Sequence, residues 1–389
     1  MTPIIQRWLP ILLPGFMAAL LITQILFSGT VPDNQDLWRY FESSAWVSGE
    51  GQLYVSIFSE YPLLANLLFG IVRALSRTPA VTAEGFTGFA IYWVALAAIT
   101  TGYTIHVMRR LVGTRFPARN LWVTLLAWLS PAVLFFALTR FDIYPALATL
   151  LMLVYLSRAR YLTAAFWLGI AICLKGYALI FLPAISAFIY VHHGFSQTLR
   201  FCTLTLTLPL LSLLTVLSYG GWDAMLSPFL FHANRSYNAD SLYLLVHALT
   251  KFNINEAPWH ILPGILQLLF VIYPLMWRPT NFDDLVESLT RTITGVITFS
   301  VFYSPQFVIW LLPVASLSAR RPTTVLTLLY ALATTGYFMV ASSPTPIALL
   351  SLISVLTLLR LALIGSTFGK TGALATSRHP SREDSTGLR

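Results

Sequence analysis

Residues 63–75 read Leu-Leu-Ala-Asn-Leu-Leu-Phe-Gly-Ile-Val-Arg-Ala-Leu, with Arg77 just beyond. This apolar stretch decides how the chain is threaded, because it either crosses a bilayer or lies on one. A span needs about 20 apolar residues, and 13 fall short. If the stretch crossed, the basic cluster Arg109, Arg110, Arg115 and Arg119 would fall outside, against the preference of Lys and Arg for the cytoplasmic side. We read it as an amphipathic helix at, or dipping into, the outer interface. Leu242 to Leu249, ending at Lys251, is read the same way.

The rest of the 389 residues make lipid the solvent: 57% are hydrophobic and 10% charged, with a mean hydropathy of +0.72. A soluble domain carries about 25% charged residues. The expectation is an all-α, polytopic membrane protein, with a single domain over 1–364 and a disordered polar cytoplasmic tail over 365–389. Helices are expected near 8–27, 85–107, 121–138, 143–157, 161–174, 177–192, 201–219, 258–277, 291–304, 306–319, 323–341 and 347–364. That gives about 12 spans, within a range of 10 to 13. The first run has a signal-peptide look, yet no small-residue cleavage site follows, so it is read as a retained helix. Cys173 and Cys202 lie inside apolar runs and are expected as buried thiols.

With both termini inside, Lys plus Arg divide 17 cytoplasmic to 7 external, and Asp plus Glu 5 to 10. The net charge of +9 therefore reflects short basic loops such as Ser157-Arg158-Ala159-Arg160, and no nucleic-acid partner is inferred. Two external loops, 29–84 and 220–257, hold most of the acids. Long loops in a compact protein are usually functional, so the working face is expected outside.

Five polar clusters fall on that face. Val31-Pro32-Asp33-Asn34-Gln35-Asp36-Leu37-Trp38-Arg39-Tyr40 places two acids three apart, followed by Glu60-Tyr61-Pro62. Asp33 suits a helix N-cap; a carboxylate such as Asp36 at the rim of an apolar cavity can serve as a base. Thr139-Arg140-Phe141-Asp142-Ile143-Tyr144-Pro145 squeezes two charges into a tight turn at the membrane edge, where they pair with each other, meet lipid headgroups or serve a site. Lys175 alone would merely snorkel. His232 and Arg235 are residues that bind phosphate, and Pro305 in Tyr303-Ser304-Pro305-Gln306-Phe307 breaks a helix. Coincident snorkelling accounts for one or two such clusters; one shared site accounts for all five, with acids for base chemistry and cations for an anionic lipid-linked ligand.

Taken in order over residues 30 to 315, these features resemble the GT-C class of membrane glycosyltransferases. The resemblance is strongest to the polyprenyl-phosphomannose-dependent mannosyltransferases of the bacterial phosphatidylinositol mannoside type, and weaker to the mannosyltransferase of GPI-anchor synthesis. It rests on Asp36 and Tyr40, Gly51 and Tyr54, Glu60-Tyr61-Pro62, Arg140-Phe141-Asp142, and Gly169 with Lys175 and Tyr177. His232 with Arg235, and Ser304-Pro305-Gln306 with Trp310 and Pro313, complete it. The resemblance implies a GT-C fold in a bacterial plasma membrane and transfer of a sugar, mannose first among the options, from a polyprenyl-phosphate donor to a glycolipid or glycan acceptor. Asp36 would be the catalytic base. Arg235, His232 and Lys175 would bind the donor phosphate. Asp33, Tyr40, Glu60, Tyr61, Arg140, Asp142, Tyr177 and Gln306 would hold sugar or acceptor. The chain departs from the family at Leu63, where Glu-Tyr-Pro-Pro is usual, and in its Asp-x-x-Asp spacing, which is wider than Asp-x-Asp. A tight Asp-x-Asp would invite a divalent cation; the wider spacing leads us to expect no metal and no cofactor. The competing reading is a transporter or flippase for a lipid-linked or anionic solute. It should carry ionisable groups near the midplane and matching halves, whereas these charges crowd to one face.

Overall fold

The structure is a computed structural model that describes residues 3–29, 35–78, 81–115, 118–238, 240–256, 258–341 and 346–368. Among these, the chain is helical with no strand; its one β-bridge joins Leu53 to Ile57. The helices are α1 (Pro3–Ser28), α2 (Gln35–Ser43), α3 (Leu63–Ser76), α4 (Ala83–Arg115), α5 (Ala118–Trp128), α6 (Pro131–Thr139), α7 (Ile143–Leu156) and α8 (Tyr161–Leu174). They continue with α9 (Leu182–Ala233), α10 (Leu242–Thr250), α11 (Leu262–Met276), α12 (Phe282–Thr298), α13 (Val308–Ala315), α14 (Arg321–Ala341) and α15 (Pro346–Ser366). Cys173 and Cys202 are free thiols.

Every apolar run read from the sequence is helical, but the count of twelve spans is not reached by helix length. Among the described residues, six helices are long and apolar enough to cross a membrane, or seven if α5 and α6, bent by 53° at Ser130-Pro131, make one broken span. The bend has a local cause, since the residue before proline is pushed out of the helical region and Ser130 is extended at φ −63°, ψ 143°. The shortfall lies in α7 and α8 at 14 residues each, α12 at 17 and α13 at 8, and in α9, which counts once although it holds two of the expected helices. At 1.5 Å per residue, 14 residues cover about 21 Å, less than a hydrocarbon core of about 30 Å. Short helices are tolerated at membrane depth where protein surrounds them, and α7 is buried along nearly its whole length.

Helix α3 behaves differently from these. Leu67, Ile71 and Leu75 are exposed along one side, while Asn66 and Arg73 are buried on the other. Asn66 Nδ2 donates to the Tyr61 carbonyl at 2.9 Å, and Arg73 Nη2 donates to Glu50 at 2.5 Å. The helix is thus sewn onto the first loop through polar groups on its inner face.

α9 is interrupted at Gly194 and Gly221, both at φ +72°, a backbone state that costs only glycine nothing. The first break falls between the two helices expected at 177–192 and 201–219. The second turns the final piece so that His232 and Arg235 reach the polar end of the bundle. α8 packs closely on α9: a Cβ added at Gly169 would lie 2.8 Å from the Thr205 carbonyl oxygen. At the other end of the chain, α15 includes Gly365 and Ser366, and Thr367 is buried against Arg291; the tail beyond lies outside the described residues. Gly169→Ala should destabilise the protein by ~1–3 kcal/mol through overpacking, measured as thermal unfolding in detergent. Gly336→Ala, which meets nothing within 4 Å, should not; equal effects would sink the close-approach argument.

Candidate functional site

Five of the turns singled out in the sequence converge at one end of the helical bundle. Asp36, in the first turn of α2, pairs with Arg140, which caps α6. Asp142, two residues on, accepts from Lys175 Nζ at 2.7 Å, between α8 and the 3₁₀ turn Gly176–Phe181. Asp142 Oδ1 also accepts from Trp310 Nε1 on α13. Arg140 and Asp142 therefore do not neutralise each other across their shared turn; each reaches a partner distant in sequence.

Glu60 is the third anchor. Its Oε2 accepts from Arg235 Nη2 at 3.0 Å, and Arg39 Nη1 lies 3.7 Å from Oε1. His232 Nε2 donates to the Glu60 carbonyl at 3.2 Å. The Arg235 guanidinium is sandwiched over Phe302 (4.2 Å) and Phe231 (4.7 Å), and Lys175 Nζ sits over Phe141 (4.5 Å) and Trp310 (4.8 Å). Such cation–π contacts gain value where water is excluded.

The two aspartates differ in reach. The Asp36 side chain is 27% exposed and that of Asp142 is 0%, so only Asp36 can meet an incoming hydroxyl without rearrangement. Asp142 has a second oxygen, Oδ2, buried without a hydrogen-bond partner among the described residues. Burial pushes the Asp36 carboxyl above the ordinary aspartate value of 3.8; the nearby Arg140 and Lys175 charges oppose that rise, and Asp142 and Glu60 add to it. A carboxylate raised in this way is a better proton acceptor than a solvated one.

The aromatic residues expected to touch sugar are placed otherwise. Tyr40 is fully buried. Its ring stacks on Phe69 at 4.5 Å and meets Trp93, Tyr61 and Phe141 at 5.1, 5.4 and 5.6 Å. Tyr40 thus forms a floor under the ion pairs, and Tyr61 packs against it while also lining a groove beside α2. Tyr177 stacks flat on Trp310, 4.4 Å between ring centres, and Gln306 is buried in the 3₁₀ turn just before α13. Asp33 lies outside the described residues. Among those described, no group of three or more His, Cys, Asp or Glu is disposed to hold a metal ion.

Three participants were not assigned roles from the sequence. Trp310 sits in an apolar run at helical spacing, where a core position is the natural reading. Arg39 lies in the quoted first-loop stretch without a role of its own. Asn238 ties the second long loop to the turn after α12: its Nδ2 donates to the Tyr303 carbonyl at 2.5 Å, and its Oδ1 accepts from the Tyr303 amide at 3.0 Å. Beside α2, a groove of about 720 Å³ is lined by Trp38, Arg39, Ser59, Glu60 and Tyr61 among others, so Glu60 belongs both to the ion pairs and to the groove.

No protein-family model matches the chain. Among curated proteins it is similar to GPI mannosyltransferase 1 of Eremothecium gossypii, at 25% identity over 201 residues, covering 48% of this chain. The aligned part spans about half of that relative, 49% of its length. This distant similarity points to the membrane mannosyltransferases in general.

Removing one member of a buried ion pair leaves the other uncompensated, at a cost of ~3 kcal/mol or more. Asp142→Asn should therefore lower thermal stability strongly, and adding Lys175→Met should recover part of the loss. If the double variant is as unstable as the sum of the two single ones, the pair is not coupled.

Proposed function

We propose that the protein is a membrane glycosyltransferase that moves a sugar, mannose on the strength of the similarity, from a polyprenyl-phosphate donor to a hydroxyl of a glycolipid or glycan acceptor. The observation that carries this reading is the gathering of one accessible carboxylate, Asp36, with Arg140, Lys175, His232 and Arg235 at one end of the bundle. We assign that end to the external face and both termini to the cytoplasm, because the Lys and Arg bias supports this orientation.

In the reaction, the acceptor oxygen attacks the anomeric carbon as its proton passes to Asp36. The bond between that carbon and the phosphate oxygen breaks, and the electron pair leaves with polyprenyl phosphate. A single displacement inverts the centre, so a β-linked donor gives an α-glycoside. Arg235, Lys175 and His232 hold the phosphate and stabilise the charge it gains on leaving. The groove beside Trp38 and Arg39 would receive the acceptor, with Glu60 on its wall, while buried Asp142 would hold Lys175 in place. The step needs no nucleotide or other cofactor, and the cations named can carry the charge neutralisation that a metal supplies elsewhere.

Asp36→Asn, assayed in proteoliposomes with a radiolabelled polyprenyl-phosphate sugar, should lower transfer by ~10²–10⁴, the usual contribution of a positioned base. Transfer near the wild-type rate would remove Asp36 from this role. Lipid movement across the bilayer with no glycoside formed would favour the transporter reading.

The pH profile gives a second test. A base acts deprotonated, so the rate should fall as pH drops through the Asp36 pKa, and burial raises that pKa. The acid limb should therefore lie above the ordinary 3.8. Arg140→Met removes an opposing charge and should move the limb higher still; a limb that moves lower would contradict the assignment.

A further inference from the structure

At the opposite end of α12 from the candidate site lies a second built cavity. It occupies about 420 Å³ where α11, α12, α14 and α15 meet, and three arginines line it: Arg278, Arg291 and Arg320. Arg291, the cavity's last residue on α12, precedes the end of that helix at Thr298 by seven residues, about 10 Å along the axis, and the turn at Tyr303–Gln306 lies beyond that end.

Arg291 is oriented from several sides. Its Nε donates to Thr367 Oγ1 at 3.0 Å and its Nη2 to the Thr367 carbonyl at 2.6 Å. Its guanidinium is held between Tyr273 at 4.9 Å and Phe368 at 4.1 Å. Nη1 makes no hydrogen bond among the described residues. Arg320 Nη1 donates to the Ser366 and Phe368 carbonyls at 3.2 and 2.9 Å. Arg278 lies over the Tyr190 ring at 5.2 Å, with no ion pair among the described residues. Two carboxylates share the cavity, and each accepts hydrogen bonds from protein groups. Asp284 accepts from Thr280 Oγ1 at 2.7 Å and Asn281 Nδ2 at 2.8 Å, and buried Glu287 accepts from Ser318 Oγ. Among the described residues, three guanidinium groups line the cavity against two carboxylates.

Its setting points to the source of an anion. The outer face of α11 is apolar and exposed at Leu268, Leu269, Ile272, Leu275 and Met276 and leads directly to Trp277 at the cavity mouth. Trp277 stacks on Tyr273 at 4.6 Å. An exposed aliphatic track ending in stacked aromatics and arginines matches an acyl chain, its glycerol boundary and a phosphate headgroup. We infer that this cavity is a binding site for the headgroup of an anionic glycerophospholipid, whose acyl chains lie along α11. The site is independent of the transfer reaction proposed for the other end.

The test uses the full chain purified in neutral detergent and titrated with phosphatidylglycerol, phosphatidylcholine or inorganic phosphate. Native mass spectrometry reads the bound lipid, and thermal unfolding reads its effect. Phosphatidylglycerol should bind saturably and raise the unfolding temperature, while the other two do neither. Arg278→Gln and Arg291→Gln should each weaken phosphatidylglycerol binding about fivefold, the factor expected of one arginine at an anionic lipid surface. Arg235→Gln, at the far end, should leave it unchanged. Arg291 also braces Thr367, so Arg291→Gln changes folding as well as charge; Arg278 has no such bond, and its variant keeps the test decisive. Equal binding of phosphatidylcholine, equal protection by inorganic phosphate, or full binding by Arg278→Gln would each overturn the inference.

Discussion

A charge carried to the edge of a bilayer must find an opposite charge or return to water, and three ion pairs meet that demand here. Each also closes a long stretch of chain. Asp36 with Arg140 draws the first loop against the turn between α6 and α7. Asp142 with Lys175 and Trp310 joins α7, α8 and α13. Glu60 with Arg235 brings the first loop to the end of α9. The helices themselves are held by apolar packing. The ion pairs are directional, and they fix which turns stand beside one another at this end.

Beneath the pairs lies a layer of rings: Tyr40, Tyr61, Phe69, Trp93 and Phe141 in mutual contact. This layer gives the pairs their character. It keeps water from one side, so each charge interacts through a lower effective dielectric constant than it would in an open loop. The same exclusion makes ionisation of Asp36 harder, and its proton affinity rises despite a neighbouring arginine. Tyr40 thus matters to the site without facing it.

The helices were legible because apolar runs bounded by Pro, Gly and Arg announce themselves, and α3 stood out among them by its shortness, 14 residues. The number of crossings was not legible. Hydropathy in α7 reports burial, and a helix buried in protein reads like one buried in lipid. The gathering of five turns could be anticipated from sidedness alone. Their pairing could not: Arg140 and Asp142 are sequence neighbours of opposite sign, and only the chain's path shows that each points elsewhere. Trp310 was missed as a donor to Asp142 because a tryptophan in an apolar helix carries no mark of its polar edge, and Asn238 was missed because backbone pairing across 65 residues leaves no pattern in composition.

In the reading proposed here, the cations meant for phosphate are already engaged by carboxylates: Arg235 by Glu60 and Lys175 by Asp142. This arrangement favours the transition state over the bound donor. A polyprenyl-phosphate sugar is a phosphodiester with one negative charge, so when it displaces a carboxylate from Arg235 it exchanges one anion for another and gains little. As the sugar departs, the phosphate approaches two negative charges, while Glu60 can offer no more than one. The cations therefore hold the leaving phosphate more strongly than either the intact donor or their resting partner. Interaction that grows along the reaction coordinate lowers the barrier, and resting ion pairs that blunt ground-state binding leave more of it for that stage.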